Sequence, residues 1–248
     1  MHRLLSDRRI QWLTMLAALL LAWASLTRAQ VRPQSPERPN PLRAAYMRAH
    51  FYQAMLLHDA VARGNLETAR LEATRLEQPS ATAPIPVGGE AFQGAIVRMA
   101  KQAASATTLP EAAQATAVIL GTCGECHRAM QVRPMPPLST DINVGGLVGH
   151  MLLHQHGSDA FVEGLVAPSD SAWTEGVRTF ATQKLDSAHA PAKFRKQLAA
   201  AETTLAELAG QAAKAQGSRD REVAYGNVLA TCGACHRMAS RSAGPDRH

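Results

Sequence analysis

From Leu42 onward, apolar residues recur three and four positions apart over long stretches, and nothing alternates in the manner of a strand. The pattern predicts four helices in the first half: Leu42–Arg63, Leu66–Gln78, Glu90–Ala106 and Pro110–Met130. The breaks have chemical causes. Gly64 and Asn65 stop one helix and cap the next, "PSATAPIPVGG" interrupts the pattern, and Pro110 is preorganised for a first helical position. The second half repeats the plan with helices over Ile142–Val166, Asp170–Ser187, Ala192–Gln216 and Arg219–Ala239. Between the halves lies "QVRPMPPLSTD", whose prolines predict an extended linker. The expected fold is all-α, with a first unit over 42–132, a linker over 133–141 and a second unit over 142–248.

The halves are related by an internal repeat. Met47-Arg-Ala-His50 aligns with Met151-Leu-Leu-His154 at an offset of 104 residues, and the same register sets "AVARGN" over "GLVAPS". A rival offset of 100 pairs Asp59-Ala60 with Asp159-Ala160 and His50 with His150. The 104-residue register is preferred because the helix start and its terminating turn then coincide. At the end of each half stands one phrase, "TCGECHRAM" from Thr122 and "TCGACHRMA" from Thr231, at an offset of 109. A five-residue insertion in the second half reconciles the two registers.

Ahead of the helices, basic Arg3, Arg8 and Arg9 precede an apolar stretch from Leu13 to Ala24 and then small residues. This is the layout of an export signal, and residues 1–29 are assigned to it, with cleavage after Ala24 or Ala29. The stretch is short for a bilayer span and no cysteine lies near it to carry a lipid, so a periplasmic or otherwise exported protein without stable membrane insertion is expected. A retained anchor is the alternative. Residues 30–41 contain "VRPQSPERPNP", whose four prolines predict an extended leader. Loss of the signal removes Arg3, Arg8, Arg9, Arg28 and Asp7, halving the formal charge of +6. No basic stripe remains that would suit nucleic acid. Charged runs such as "RLEATRLEQ" and "SRDREV" read as solvated helix faces.

Apolar residues make up 46% of the chain but aromatics only 4%, so the cores must be filled by Ala, Leu and Val or by a non-protein group. All four cysteines belong to Cys123-Gly-Glu-Cys126-His127 and Cys232-Gly-Ala-Cys235-His236, each the Cys-x-x-Cys-His signature of covalent c-type haem attachment. On a helix, cysteines three apart share a face, so both thiols can reach the vinyl groups of one porphyrin. The adjacent His127 or His236 then offers an imidazole to the iron as proximal ligand. A zinc site, a redox-active Cys-x-x-Cys pair and structural disulfides are the rivals, and none explains a histidine after each pair. Two haem c groups would also account for the scarcity of aromatics. Ile119 and Val228, four residues before the first cysteine of each motif, are expected on the haem-facing side, though ordinary core packing fits them equally.

Few residues follow His236, so whatever encloses a haem there is expected upstream. With the motif on the last helix of each half, the chain resembles the class II c-type cytochromes, the cytochrome c prime type. The resemblance covers about residues 42–240 and implies two tandem antiparallel four-helix bundles with one haem each. It also admits a homodimer, since bundles of that family often pair. "CHRAM" and "CHRMA" depart from the family's aromatic-then-basic tail. Arg128 and Arg237 either replace its basic residue near a propionate or are solvated helix-end charges.

In that family the first helix faces the distal side of the haem. There the resemblance directs attention to His50 and His154 as distal ligands, with Met47 and Met151 as their rivals on the same face. Imidazole is costly to bury without a role, which favours the histidines; a His in a polar network or facing water is the alternative. His58, His150 and His156 align with Val162, Tyr46 and Tyr52, so the repeat does not single them out. Met135 reads as linker and His189 as an exposed loop residue. The expected function is that of an exported electron carrier, passing single electrons between redox partner proteins and not acting as an enzyme. A gas-binding or sensing haem protein with an open distal site is the alternative, and a peroxidase-like activity is the third reading.

Overall fold

The computed structural model describes residues 40–78, 85–134, 145–183 and 192–242. The assigned signal, most of the leader and linker, Met135 and His189 lie outside them. The described residues form eight α-helices and no strand. In the first half they are α1 (Pro41–Ala62), α2 (Leu66–Leu76), α3 (Glu90–Ala104) and α4 (Leu109–Ala129). The second half has α5 (Gly146–Val166), α6 (Asp170–Thr182), α7 (Arg195–Ala212) and α8 (Gly217–Ser242), with a short 3-10 turn at Ala192–Phe194 before α7. None is long and apolar enough to cross a membrane.

The helix ends obey local chemistry. Gly64 takes φ +73°, a value that favours glycine, and the Asn65 side chain accepts from the Thr68 amide 3.0 Å away, capping α2 as expected. Helix α4 starts one residue earlier than expected, because Thr108 is the cap and Glu111 completes a capping box around Pro110. The α5 helix starts at Gly146, later than the expected Ile142, which lies outside the described residues.

Residues from Leu42 onward form one compact unit. Sequence-adjacent helices pack on one another from α2 to α4 and from α5 to α8, Gln53 of α1 donates to the Glu72 carboxylate of α2 at 2.7 Å, and the last helices of the two halves pair extensively. That pair, α4 and α8, runs antiparallel. Gln114 donates to Asn227 at 2.9 Å, Glu222 lies over Gly121, and Ser218 bonds Glu125. Because α4 touches α3, α5 and α8, it buries a wide face that includes Ala112, Ala113, Thr116, Ala117, Ile119 and Leu120.

Small aliphatic residues fill the first-half core, including Ala54, Ala69, Ala73, Ala100 and Ala103 around Leu57 and Ile119. The few buried aromatics gather in the second half. Phe161 packs against Trp173, Phe180 and Tyr225 with ring centroids 4.6, 5.7 and 5.6 Å away. Tyr225 also joins the halves: its hydroxyl is 2.6 Å from Nε2 of buried His58 on α1 and 2.8 Å from the Ser158 hydroxyl on α5. His58 therefore serves a structural network.

Candidate metal centres

Each Cys-x-x-Cys-His phrase sits near the C-terminal part of its helix, α4 or α8. The four cysteines are not in disulfides. Burial, and next the neighbouring Cys126, pushes the Cys123 thiol up to about 12; burial and Cys235 do the same for Cys232. Cys126 and Cys235 are raised as well, chiefly by burial. The thiols are therefore neutral, half-buried groups and not exposed thiolates.

The two histidines are held in the same way. His127 donates from Nδ1 to the Val166 carbonyl at 2.8 Å, and His236 donates from Nδ1 to the Ala62 carbonyl at 2.7 Å. Val166 ends α5 and Ala62 ends α1, so each acceptor is a carbonyl with no donor later in its own helix. A carbonyl can only accept, so in the neutral ring the proton sits on Nδ1 and Nε2 keeps its lone pair. Such an outer hydrogen bond fixes tautomer and ring orientation in metal-ligating histidines and raises their basicity.

The contacts cross between the halves. His127 of the first half uses the first helix of the second, and His236 uses the first helix of the first. Glycines make the approach possible. A Cβ at Gly124 would overlap the Leu165 carbonyl oxygen, and one at Gly233 would overlap that of Val61. Leu165 and Val166 lie 104 residues after Val61 and Ala62, while the motifs lie 109 apart. The acceptors thus follow the 104-residue register and the motif residues that meet them the 109-residue one.

Near the second motif stand residues of α5 and α7. His150 donates from Nε2 to the Glu202 carboxylate at 2.7 Å, and the same oxygen is 3.7 Å from Nε2 of His154. The His150 and His154 rings lie 4.2 Å apart, and the three possible ligand atoms are all within 4.8 Å of one another. Burial holds His154 down to about 4, against an upward pull from Glu202 and with further lowering by His150 and His236. Glu202 in turn raises the Cys232 and Cys235 thiols. His154 is therefore brought to the motif of its own half.

In the first half His50 is partly buried, and burial lowers its pKa. Tyr46 stacks on it at 5.6 Å, and the Gln93 amide donates to the Tyr46 hydroxyl at 3.3 Å. The match with the second half is position by position: Tyr46 aligns with His150 at 104, and Gln93 with Glu202 at 109. Met47 and Met151 are each partly exposed on the same helices. His156 instead meets Glu175 at 3.1 Å. Arg128 is exposed and pairs with Glu125 at 2.7 Å, while Arg237 is exposed beside Gly64.

No family model, curated protein or solved structure matches this chain.

The donor set itself can be tested against the group that the motifs suggest. Each half presents two thiols three residues apart and an imidazole whose lone-pair nitrogen is set by a carbonyl on the other ring nitrogen. Those are the requirements of covalent attachment and proximal ligation, so the residues fit a haem c in each half. Sequence reasoning passed over His150, Glu202, Tyr46 and Gln93. Aligning the third helices at the 109-residue offset of the cysteines, and not only the first helices at 104, would have set Gln93 over Glu202.

Proposed function

We propose that the chain is an exported dihaem c-type cytochrome, periplasmic or otherwise outside the cytoplasm, that carries single electrons between redox partner proteins. Each half is read as a four-helix haem bundle of the cytochrome c prime type, over 42–132 and 142–248, with 133–141 between them. Residues 1–29 are read as the export signal. Cys123 and Cys126 would form the thioethers in the first half and Cys232 and Cys235 those in the second, with His127 and His236 as proximal ligands through Nε2. His50 and His154 are the distal candidates, and Met47 and Met151 their rivals. When bound, haem supplies one-electron chemistry between ferric and ferrous iron. The chain's residues would hold it, with the Val166 and Ala62 carbonyls orienting the proximal rings.

The observation that carries this reading is the matched pair of Nδ1-to-carbonyl hydrogen bonds directly beside two Cys-x-x-Cys pairs. A zinc or disulfide reading leaves both imidazoles unexplained. The test is to produce the full chain in a host that matures haem c, count covalent haem, and record ferrous spectra with and without carbon monoxide. Two haems per chain and an unmoved Soret band support the electron carrier. A carbon monoxide shift moves the reading to a gas-binding protein, and absence of covalent haem overturns both. Replacing Cys123 and Cys126 together by Ala should leave one haem on the chain.

A further inference from the structure

The two centres are matched in position but not in chemistry. In the first, a neutral amide, Gln93, holds a neutral phenol, Tyr46, against His50. In the second, a carboxylate, Glu202, holds an imidazole, His150, against His154, and its own oxygen reaches to 3.7 Å from His154 Nε2. His150 is buried and Glu202 is only 12% exposed at its side chain, so solvent screens them little. His150 donates from Nε2 whether or not the ring is charged, so the carboxylate stays aimed at His154.

A negative group close to an iron centre stabilises the oxidised, more positive state relative to the reduced one, and more strongly where the surroundings are apolar. We propose that Glu202, held by His150, is the positioning residue that makes the two centres inequivalent, giving the second the lower reduction potential. The inference rests on the reading that each motif holds a haem. A one-electron donor protein would reduce the second centre; the electron would then pass to the first, oxidising the second and reducing the first, and leave to a one-electron acceptor. Two identical carriers would give no such direction. The same three side chains would also suit a separate divalent ion, and the test distinguishes that case.

The full-length holoprotein is titrated by visible spectroscopy, with total metal and covalent haem counted on the same samples. The Cys123→Ala/Cys126→Ala variant, which keeps only the second centre, assigns the steps. We expect two one-electron steps, the lower belonging to the second centre. Glu202→Gln should raise that step by at least a tenfold change in its equilibrium constant, which is 59 mV for one electron, and leave the other in place. Glu202→Asp should keep the lower step low, and Gln93→Glu should lower the first centre's step. Unmoved steps in Glu202→Gln and Gln93→Glu, with both haems retained, overturn the inference while the haem reading stands. A non-haem metal ion in the wild type that is lost with Glu202→Gln also overturns it, by assigning the cluster to that ion. A chain without covalent haem removes the reading on which the inference depends.

Discussion

At the scale of single residues, the glycine inside each motif is held by packing. The α4 and α8 helices approach the ends of α5 and α1 so closely that Gly124 faces the Leu165 carbonyl and Gly233 the Val61 carbonyl. The obstacle is backbone, which no rotamer change can move aside. Gly124→Ala or Gly233→Ala should cost about 1–3 kcal/mol, the usual penalty of overpacking, and lower the melting temperature by several degrees. Gly210→Ala is the control. Its Cβ meets nothing within 4 Å, so the greater helix propensity of Ala should stabilise by about 0.5–1 kcal/mol. Equal melting temperatures for Gly124→Ala and the wild type would show that the helices do not approach so closely.

Glu222 makes a second residue-scale prediction. Burial against Gly121 raises its carboxyl to about 7 from 4.5, with Arg219 opposing and Glu125 adding to the rise. The folded state thus holds this proton more tightly than the unfolded chain. Its contribution favours folding below about pH 4.5 and is lost as pH rises to about 7. Glu222→Gln, which keeps the shape without the charge, should therefore be more stable than the wild type at pH 8 and close to it at pH 4. Thermal melts at both pH values check this, and a variant less stable at pH 8 would contradict the burial.

At the scale of elements, helix ends show what the sequence could and could not convey. Asn65 was readable as a cap because Gly64 before it can take the positive φ of the turn while Asn65 itself offers a side-chain acceptor. Asn65→Ala should cost about 1 kcal/mol through loss of the bond to the Thr68 amide, visible as a lower melting temperature. Asn65→Asp, which keeps the acceptor, should restore it. The α7 start was less legible: Phe194 makes no side-chain cap, and a 3-10 turn over Ala192–Phe194 takes the place of the first helical turn. Polar pattern alone does not separate such a turn from a helix start. The aromatic cluster around Phe161 was equally hidden. Low aromatic content is a property of the whole chain, whereas the packing of four rings in one half depends on how α5, α6 and α8 meet.

At the scale of the molecule, the motif positions and their repeat were plain in the sequence, but their hydrogen-bond partners were not. The acceptors are the Val166 and Ala62 carbonyls, and a carbonyl has the same chemistry at every residue. Only the three-dimensional crossing shows that each half supplies the hydrogen-bond acceptor for the other's motif histidine. The interface is also tied by Gln114 to Asn227 and by His58 to Tyr225 and Ser158. A protease site placed in the linker over 133–141 should therefore cut the chain without separating the halves. After cutting, both fragments should elute together at the intact mass, because the α4–α8 pairing and both crossed hydrogen bonds remain. Either fragment produced alone loses the carbonyl for its own histidine and exposes the α4 or α8 face, and it should aggregate or lose its near-ultraviolet circular dichroism. Mixing the two fragments during refolding should restore that signal. Fragments that elute apart, each with a native-like spectrum, would instead mean that the halves fold independently and that the crossed contacts contribute little to holding the molecule together.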